Sequence, residues 1–362
     1  MSKGVLRVAV VGMGIGREHI KAWRQLPEQF ELVAVCDVDG VKATEVATTA
    51  VSDEFNIPHI FTSFDDLCRW DGVDVVDICT PSYMHVAMSV HALAAGKHVI
   101  CEKPVAGSLA DIDRLLAAEA ASGKRLMPIF NYRFGQGLQK LLHLRQKGVT
   151  GRPFIATIEV HWLRGAPYYA VPWRGKWQTE LGGCLITHAI HAHDALYQVL
   201  GPATSVFARA KTLVNPIETE DCVTLSLEMA DGALVASSVT LGSAVEITRQ
   251  RYCFERVTVE SNLAPYADNT AEPWSFVATS LENQALIDEA LADFVPQLEG
   301  YAGQFSRFHT AVQTNGRLPV TLAEAWESAE LLTAVYHSLR TNQPVSLPLT
   351  ADHALYNGWQ PE

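Results

Sequence analysis

No run of apolar residues in this 362-residue chain approaches the roughly 18 that a membrane-spanning helix needs, so no transmembrane segment is expected. Cationic runs are missing as well. Lys and Arg number 28 against 40 Asp and Glu, and the net charge of −12 argues against nucleic acid or an anionic membrane as a partner. The seven cysteines never fall at Cys-x-x-Cys spacing, and Cys36, Cys79 and Cys101 sit inside apolar runs, where a free thiol behaves as a small hydrophobe. The sequence has no repeats and no low-complexity segments. Its opening Met1-Ser2-Lys3-Gly4 passes straight into an apolar stretch without a signal-peptide pattern. A reducing, cytoplasmic setting is the expectation. What remains is a globular composition, 48% apolar and 19% charged, over a length that predicts two domains.

The first half alternates strand and helix. Val5 to Val11 is a β-branched run that stops at Gly12-Met13-Gly14-Ile15-Gly16, and Ile20, Trp23 and Leu26 then recur at helical spacing. Strand, glycine turn and helix make the dinucleotide-binding arrangement: glycines let the backbone approach a pyrophosphate, and the helix N-terminus supplies donors. Gly16 comes two residues after Gly14 rather than three, with Arg17 at the usual position, so the turn is shortened or the helix begins differently. The second strand, Leu32 to Cys36, ends on Asp37, about 20–25 residues beyond the glycines, where an acid binds the adenosine ribose hydroxyls. That carboxylate repels a 2′-phosphate and Val38 beside it offers no cation, which favours NAD over NADP.

A helix over Val41 to Ala50, a short strand at His59 to Phe61, a helical turn at Phe64 to Trp70 and a buried strand at Val73 to Cys79 follow. A helix over Val86 to Ala95 leads into the strand Val99 to Cys101, which stops abruptly on Glu102-Lys103-Pro104. In an open parallel sheet the carboxyl ends of strands border the ligand crevice, so Lys103 is either a ligand-facing ammonium or a plain surface lysine. Ser108 reads as the N-cap of the next helix, and Leu126 to Phe130 as a sixth strand. Right-handed crossovers and a doubly wound parallel sheet follow from this alternation. The boundary falls at Asn131-Tyr132-Arg133-Phe134, giving a first domain of 1–130, a second of 131–350 and a tail of 351–362.

In the second half, Phe154 to Trp162, Ser205 to Leu213, Cys222 to Met229, Ala233 to Leu241, Glu246 to Phe254 and Val257 to Glu260 read as strands. Tyr168 to Trp177 is aromatic and turn-rich; Trp173 and Arg174 could stack on and bind a sugar, or simply pack the loop. From Gly182 a helix runs to Leu200, with Thr187, His191 and Asp194 spaced to share one face. His188 and His191 could chelate a metal, but no Cys or Glu of suitable spacing completes a set from this segment, so no metal is expected. Asn262 to Ser275 reads as a polar loop bordering a pocket, two or three helices close the domain, and the tail from Ala351 reads as an extended arm.

These motifs resemble the glucose–fructose oxidoreductase / inositol dehydrogenase / MocA-like family across nearly the whole chain. The matching residues are the Gly12–Gly16 turn with His19, Thr80-Pro81 with His85, and Glu102-Lys103-Pro104. The resemblance continues through Asn131 to Phe134, Gly182-Gly183 to Asp194, the final helix Thr321 to Leu339, and Val345 to Pro348. It implies a Rossmann domain followed by an α+β domain with an open, mostly antiparallel sheet that covers the cofactor. That sheet would also join copies as a homodimer or homotetramer. Thr80, Pro81, His85, Glu102 and Lys103 would then bind the cofactor along with Gly12, Met13, Gly14, Ile15, Gly16 and Asp37. The implied activity is NAD-dependent hydride transfer on a small-molecule sugar, cyclitol or polyol. Lys103 would hold the reacting oxygen and His191 take the proton, with Thr187, Asp194, Arg133, Arg174 and Trp173 toward substrate. Thr187 stands where many members carry Asp, which bears on substrate class. An NAD-dependent glycosidase using transient oxidation, and a non-catalytic nucleotide-binding sensor, are the competing readings.

Overall fold

The structure, a computed structural model, describes residues 4–48 and 57–361. Two compact units emerge, one of residues up to 129 with 301–326, the other of 130–300 with 327 onward.

In the first unit β1 (Leu6–Val11), β2 (Phe30–Cys36), β3 (His59–Phe61), β4 (Val75–Ile78), β5 (His98–Cys101) and β6 (Leu126–Pro128) alternate with helices α1 (Gly16–Trp23), α2 (Gly40–Thr48), α3 (Phe64–Arg69), α4 (His85–Ala94) and α5 (Leu109–Ser122). The last two positions of the helix expected to end at Ala50 lie outside the described residues. All pairings are parallel and the order is β3-β2-β1-β4-β5-β6. That order reverses between β1 and β4, a topological switch point whose strand ends border a ligand crevice. Strands buried on both faces explain the continuous β-branched runs: Val8, Ala9, Val10, Val75, Val76, Val99 and Ile100 are fully buried. Ser108 caps α5 as expected, accepting from the Asp111 amide at 3.0 Å.

The sequence reading keeps residues 301–326 in the second domain; in the structure they pack with the first. The reason is aromatic. Phe305, on a late helix over Gly300–Thr314, stacks flat on Trp23 of α1 at 3.7 Å, and Gln304 donates to the Pro128 carbonyl of β6 at 2.7 Å.

The second unit is built on β7 (Pro153–Leu163), β8 (Ala203–Lys211), β9 (Cys222–Met229), β10 (Leu234–Thr240), β11 (Gly242–Phe254), β12 (Val257–Glu260), β13 (Ser275–Ala278) and β14 (Val345–Ser346), ordered β13-β12-β11-β7-β10-β9-β8-β14. Every pairing is antiparallel except β7 with β10. Side chains alternate buried and exposed along β9, as a sheet with one packed face requires. Helix α6 (Gln136–Gln146) and short helices α7 (Ala166–Tyr169) and α8 (Trp177–Glu180) precede α9 (Ile190–Leu200). Then come α10 (Leu281–Ala292), the Gly300–Thr314 helix (α11) and α12 (Leu322–Thr341). On the packed face, His193 of α9 meets Ser237 of β10 at 3.0 Å, and Ser338 of α12 accepts from the Ala208 amide of β8 at 3.0 Å. The loop expected over Asn262 to Ser275 contains a 3-10 turn, Tyr266–Thr270, and leads into β13 at its last residue.

The tail is not an extended arm. It folds into turns anchored by Trp359, which is 1% exposed and donates through Nε1 to the Leu181 carbonyl at 2.7 Å. A large amphipathic ring with a satisfied N–H outweighs the polar character of the residues around it. No helix among the described residues is long and apolar enough to cross a membrane.

Candidate active site

In the first unit the glycine turn sits at the switch point, and each glycine has its own physical reason. Gly12 has φ +93°, and a Cβ there would lie 2.6 Å from the Cys79 carbonyl oxygen after β4. A Cβ on Gly16 would lie 2.9 Å from Val10 Cγ1, so this residue lets α1 pack on β1. Gly14 is exposed, and a Cβ there would meet nothing within 4 Å. Tight turn, open approach and close packing are the three tasks of a dinucleotide-binding turn. Gly16 performs the third of them early because the helix itself begins at that residue.

Asp37 closes this turn from β2. Its carboxylate accepts from the Met13 amide at 2.8 Å and the Asp39 amide at 3.0 Å. The absence of a neighbouring cation, read from Val38, does not hold in space: α2 brings Lys42 Nζ to 3.7 Å from Asp37.

His85, at the start of α4, is buried, with Nδ1 2.7 Å from the Pro104 carbonyl and Nε2 2.8 Å from the Thr80 carbonyl. Burial pulls its pKa below the ordinary histidine value, while the two carbonyls, each an acceptor for a ring N–H, oppose that shift. It thereby links the Thr80-Pro81 segment to the Lys103-Pro104 segment, whose peptide bond is cis. Lys103 itself is half-buried, and its amide donates to Glu102 Oε2 at 3.0 Å.

Behind Glu102 lies a group that sequence reasoning missed. His19 is fully buried, with Nδ1 2.9 Å from Asp77 Oδ2 and Nε2 3.0 Å from Glu102 Oε1. Trp23 donates to Asp77 at 2.8 Å and the Tyr301 hydroxyl to Glu102 at 3.2 Å. Burial opposes charge on the imidazole, but the Asp77 carboxylate and its hydrogen bond lift the ring well above its ordinary pKa. His19, Asp77 and Cys79 could offer three metal-ligand atoms within 4.8 Å of one another. Both ring nitrogens of His19 are already taken up by carboxylates, Nδ1 by Asp77 and Nε2 by Glu102, an arrangement suited to holding a proton between acids. A signal existed. Asp77 interrupts an otherwise apolar buried strand, and His19 shares a helix face with Trp23.

In the second unit the helix expected from Gly182 starts at Cys184, and its first turns are π-helical over Leu185–Ala189 before it continues directly as α9. The segment is anchored by Glu220, which accepts from the Gly183 amide at 3.0 Å, the Leu185 amide at 3.2 Å and the Tyr336 hydroxyl at 3.0 Å. A Cβ on Gly183 would come within 1.9 Å of the Glu220 carbonyl oxygen, which explains the glycine. Burial raises the Glu220 carboxyl to about 7, against its accepted amide and Tyr336 hydrogen bonds. Thr187 Oγ1 donates to the Gly183 carbonyl at 2.7 Å and lies 2.5 Å from His188 Nδ1.

His191 is buried, its ring stacked on Tyr132 at 4.6 Å and edge-on to Phe130 at 6.1 Å. One turn on, Asp194 holds Arg133 in a buried bidentate pair, Nε to Oδ2 at 2.7 Å and Nη2 to Oδ1 at 2.6 Å. The 131–134 boundary segment is therefore a 3-10 turn locked to α9. Arg174 is also engaged within the protein. It lies over the Tyr168 ring at 3.9 Å and the Trp173 ring at 4.3 Å, and pairs with buried Glu180 at 3.0 Å. Of the two readings of this loop, packing accounts for what Arg174 does. Glu180 was not singled out from the sequence.

Comparison with known proteins gives matches over both units. Residues 6–130 match the model described as "Oxidoreductase family, NAD-binding Rossmann fold", and residues 138–254 match the GFO/IDH/MocA C-terminal domain. An uncharacterized oxidoreductase, YrbE of Bacillus subtilis, is 26% identical over 359 residues, 97% of this chain and 98% of that one. Inositol 2-dehydrogenase of Salmonella typhimurium is 32% identical over 170 residues, 46% of this chain and 49% of that protein. Among solved structures, the WlbA dehydrogenase of Bordetella pertussis in complex with NADH and UDP-GlcNAcA superposes with TM-score 0.80 at 29% identity, covering 95% of this chain and 99% of that chain.

Proposed function

Because the chain belongs to the GFO/IDH/MocA oxidoreductase family, we propose that it transfers a hydride between NAD and a secondary alcohol or ketone of a sugar, cyclitol or related polyol. One observation carries the reading. The open backbone at Gly14 and the Glu102-Lys103 strand end occupy the carboxyl edge of one parallel sheet, beside its switch point.

When bound, NAD supplies the hydride acceptor in one direction and the donor in the other. The Gly12–Gly16 turn and the N-terminus of α1 hold its pyrophosphate. Asp37 keeps a second lone pair on each oxygen, so it takes a ribose hydroxyl while still holding the Met13 and Asp39 amides. Lys103 holds the reacting oxygen and stabilises negative charge as it develops there. His191 takes the hydroxyl proton; an imidazole suits the step because its ordinary pKa lies near working pH, and the Tyr132 stack fixes its ring plane. Arg133 with Asp194, and Arg174 with Glu180, hold their own elements in shape.

The test is NADH appearance, followed by near-UV absorbance, across sugars, cyclitols, glycosides and UDP-linked sugar acids, with NADP in parallel wells and Lys103→Met beside the wild type. The expected result is a wild-type signal that falls by about 100-fold or more in the variant. A folded Lys103→Met protein with wild-type turnover overturns the assignment. Release of an aglycone without added NAD assigns the transient-oxidation glycosidase chemistry instead.

A further inference from the structure

We propose that the buried His19 is a positioning residue for Lys103 and acts through the Glu102 carboxylate. The inference rests on the role given to Lys103 above.

The geometry is a relay of fixed contacts. Asp77 Oδ2, at the end of β4, faces His19 Nδ1 at 2.9 Å, and the ring's Nε2 donates to Glu102 Oε1 at 3.0 Å. The other oxygen of the same carboxylate, Oε2, accepts the Lys103 amide at 3.0 Å. One carboxylate therefore bridges the imidazolium to the peptide that carries Lys103. That peptide is held on both sides, since the Glu102 amide donates to the Ile78 carbonyl at 2.9 Å and His85 meets the Pro104 carbonyl.

Every element packed on His19 contributes to the arrangement. From β4 comes Asp77, from just after it the Cys79 thiol at 3.3 Å, and from just after β5 Glu102. From α1 comes Trp23, which donates to Asp77. From α11 come Tyr301, which donates to Glu102, and Phe305, edge-on to the imidazole at 5.4 Å. Two carboxylates face one cation, all in the interior. Apolar side chains of similar volume would fill this space without the desolvation cost of three buried charges, so packing alone does not account for the set. The arrangement keeps Glu102 anionic and fixed in direction beside the lysine, which favours the ammonium form that holds a developing oxyanion.

The experiment uses the full chain, with His19→Gln and Tyr301→Phe compared to wild type. Folding is checked by circular dichroism. Lys103 is then titrated by competitive acetylation with acetic anhydride over a pH series, read by mass spectrometry of its peptide, and kcat and KM are measured separately. Loss of the cation makes one of the two carboxylates take up a proton, and Glu102 is the one beside Lys103. His19→Gln is therefore expected to lower the Lys103 midpoint by about one pH unit. It should also lower kcat about tenfold while KM for NAD stays within about twofold. A folded His19→Gln protein with an unmoved Lys103 midpoint and wild-type kcat overturns the proposal. If His19→Gln does not fold, Tyr301→Phe decides by the same labelling, and an unmoved midpoint there overturns it. Labelling needs no substrate, so a wild type inactive on every compound defeats the hydride-transfer reading while leaving the His19 result to stand or fall separately.

Discussion

Each unit carries a buried acid behind its candidate functional residue, and the two acids are held by different means. In the first unit Glu102 meets the imidazole of His19, whose pKa is lifted well above the ordinary value, and accepts from a tyrosine hydroxyl and the amide of Lys103. In the second, Glu220 anchors the segment leading to His191 through the Gly183 and Leu185 amides and the Tyr336 hydroxyl, all of them neutral donors. A cation partner keeps a buried carboxylate ionised, whereas neutral donors only partly offset desolvation. The carboxyl of Glu220 accordingly rises to about 7, and His19 rises well above its ordinary value instead. The two sites should therefore respond to pH in different windows. A buried histidine with raised pKa contributes stability fully below about 6.5 and loses it as pH climbs through its folded value.

The largest effect is expected where the second unit does use a full ion pair. Arg133→Ala leaves the Asp194 carboxylate buried opposite a cavity, and should cost about 3–5 kcal/mol in chemical denaturation. Arg133→Met combined with Asp194→Leu should recover most of that loss, because no charge is then left in the interior. If the single and double variants unfold at the same denaturant concentration, the pair is not what ties the 131–134 turn to α9.

Much of the first unit was legible because its signals are local. The β-branched runs, the glycine turn, Ser108 as a cap and the abrupt stop at Glu102-Lys103-Pro104 each lie within a few neighbouring residues. The His19 group was not legible in that way, since His19 reaches 58 residues to Asp77 and 83 to Glu102. Nothing in the amphipathic pattern of Gly300–Thr314 says which sheet it covers; the flat Trp23–Phe305 stack decides that in space. The π-turn at Leu185–Ala189 depends on Glu220, 37 residues from the glycine it meets, so periodicity predicts a plain helix there. Arg133, Asp194 and Arg174 have the chemistry of substrate contacts, and only geometry reveals that each is engaged inside the protein.

The next effect tests the pH contrast itself. Glu220 holds its proton to about pH 7 in the folded state, while an unfolded chain releases it near 4.5. The folded state thus binds more protons between these values, and wild-type stability should fall across that window and level off above it. Glu220→Gln mimics the protonated acid. It should match wild type at pH 5 and exceed it at pH 8 by up to about 3 kcal/mol, taking roughly 1.4 kcal/mol for each pH unit between the two pKa values. Thermal unfolding at both pH values reads this directly. An offset that stays constant across the window removes the contrast between the acids.

The smallest effect sharpens the contrast to one hydrogen bond. Tyr336→Phe deletes the hydroxyl that donates to Glu220 Oε1 and leaves both backbone amides in place. A hydrogen bond to a neutral acid contributes about 1 kcal/mol and one to a carboxylate roughly twice that. The variant should therefore lose more stability at pH 8 than at pH 5, and its pH transition should move upward, since the lost donor favoured the ionised form. Equal losses at the two values would mean that the hydroxyl does not sense the charge on Glu220. The anchoring of the His191 segment would then belong to the amides alone, and the Tyr336 ring would serve only as the surface on which Trp359 packs.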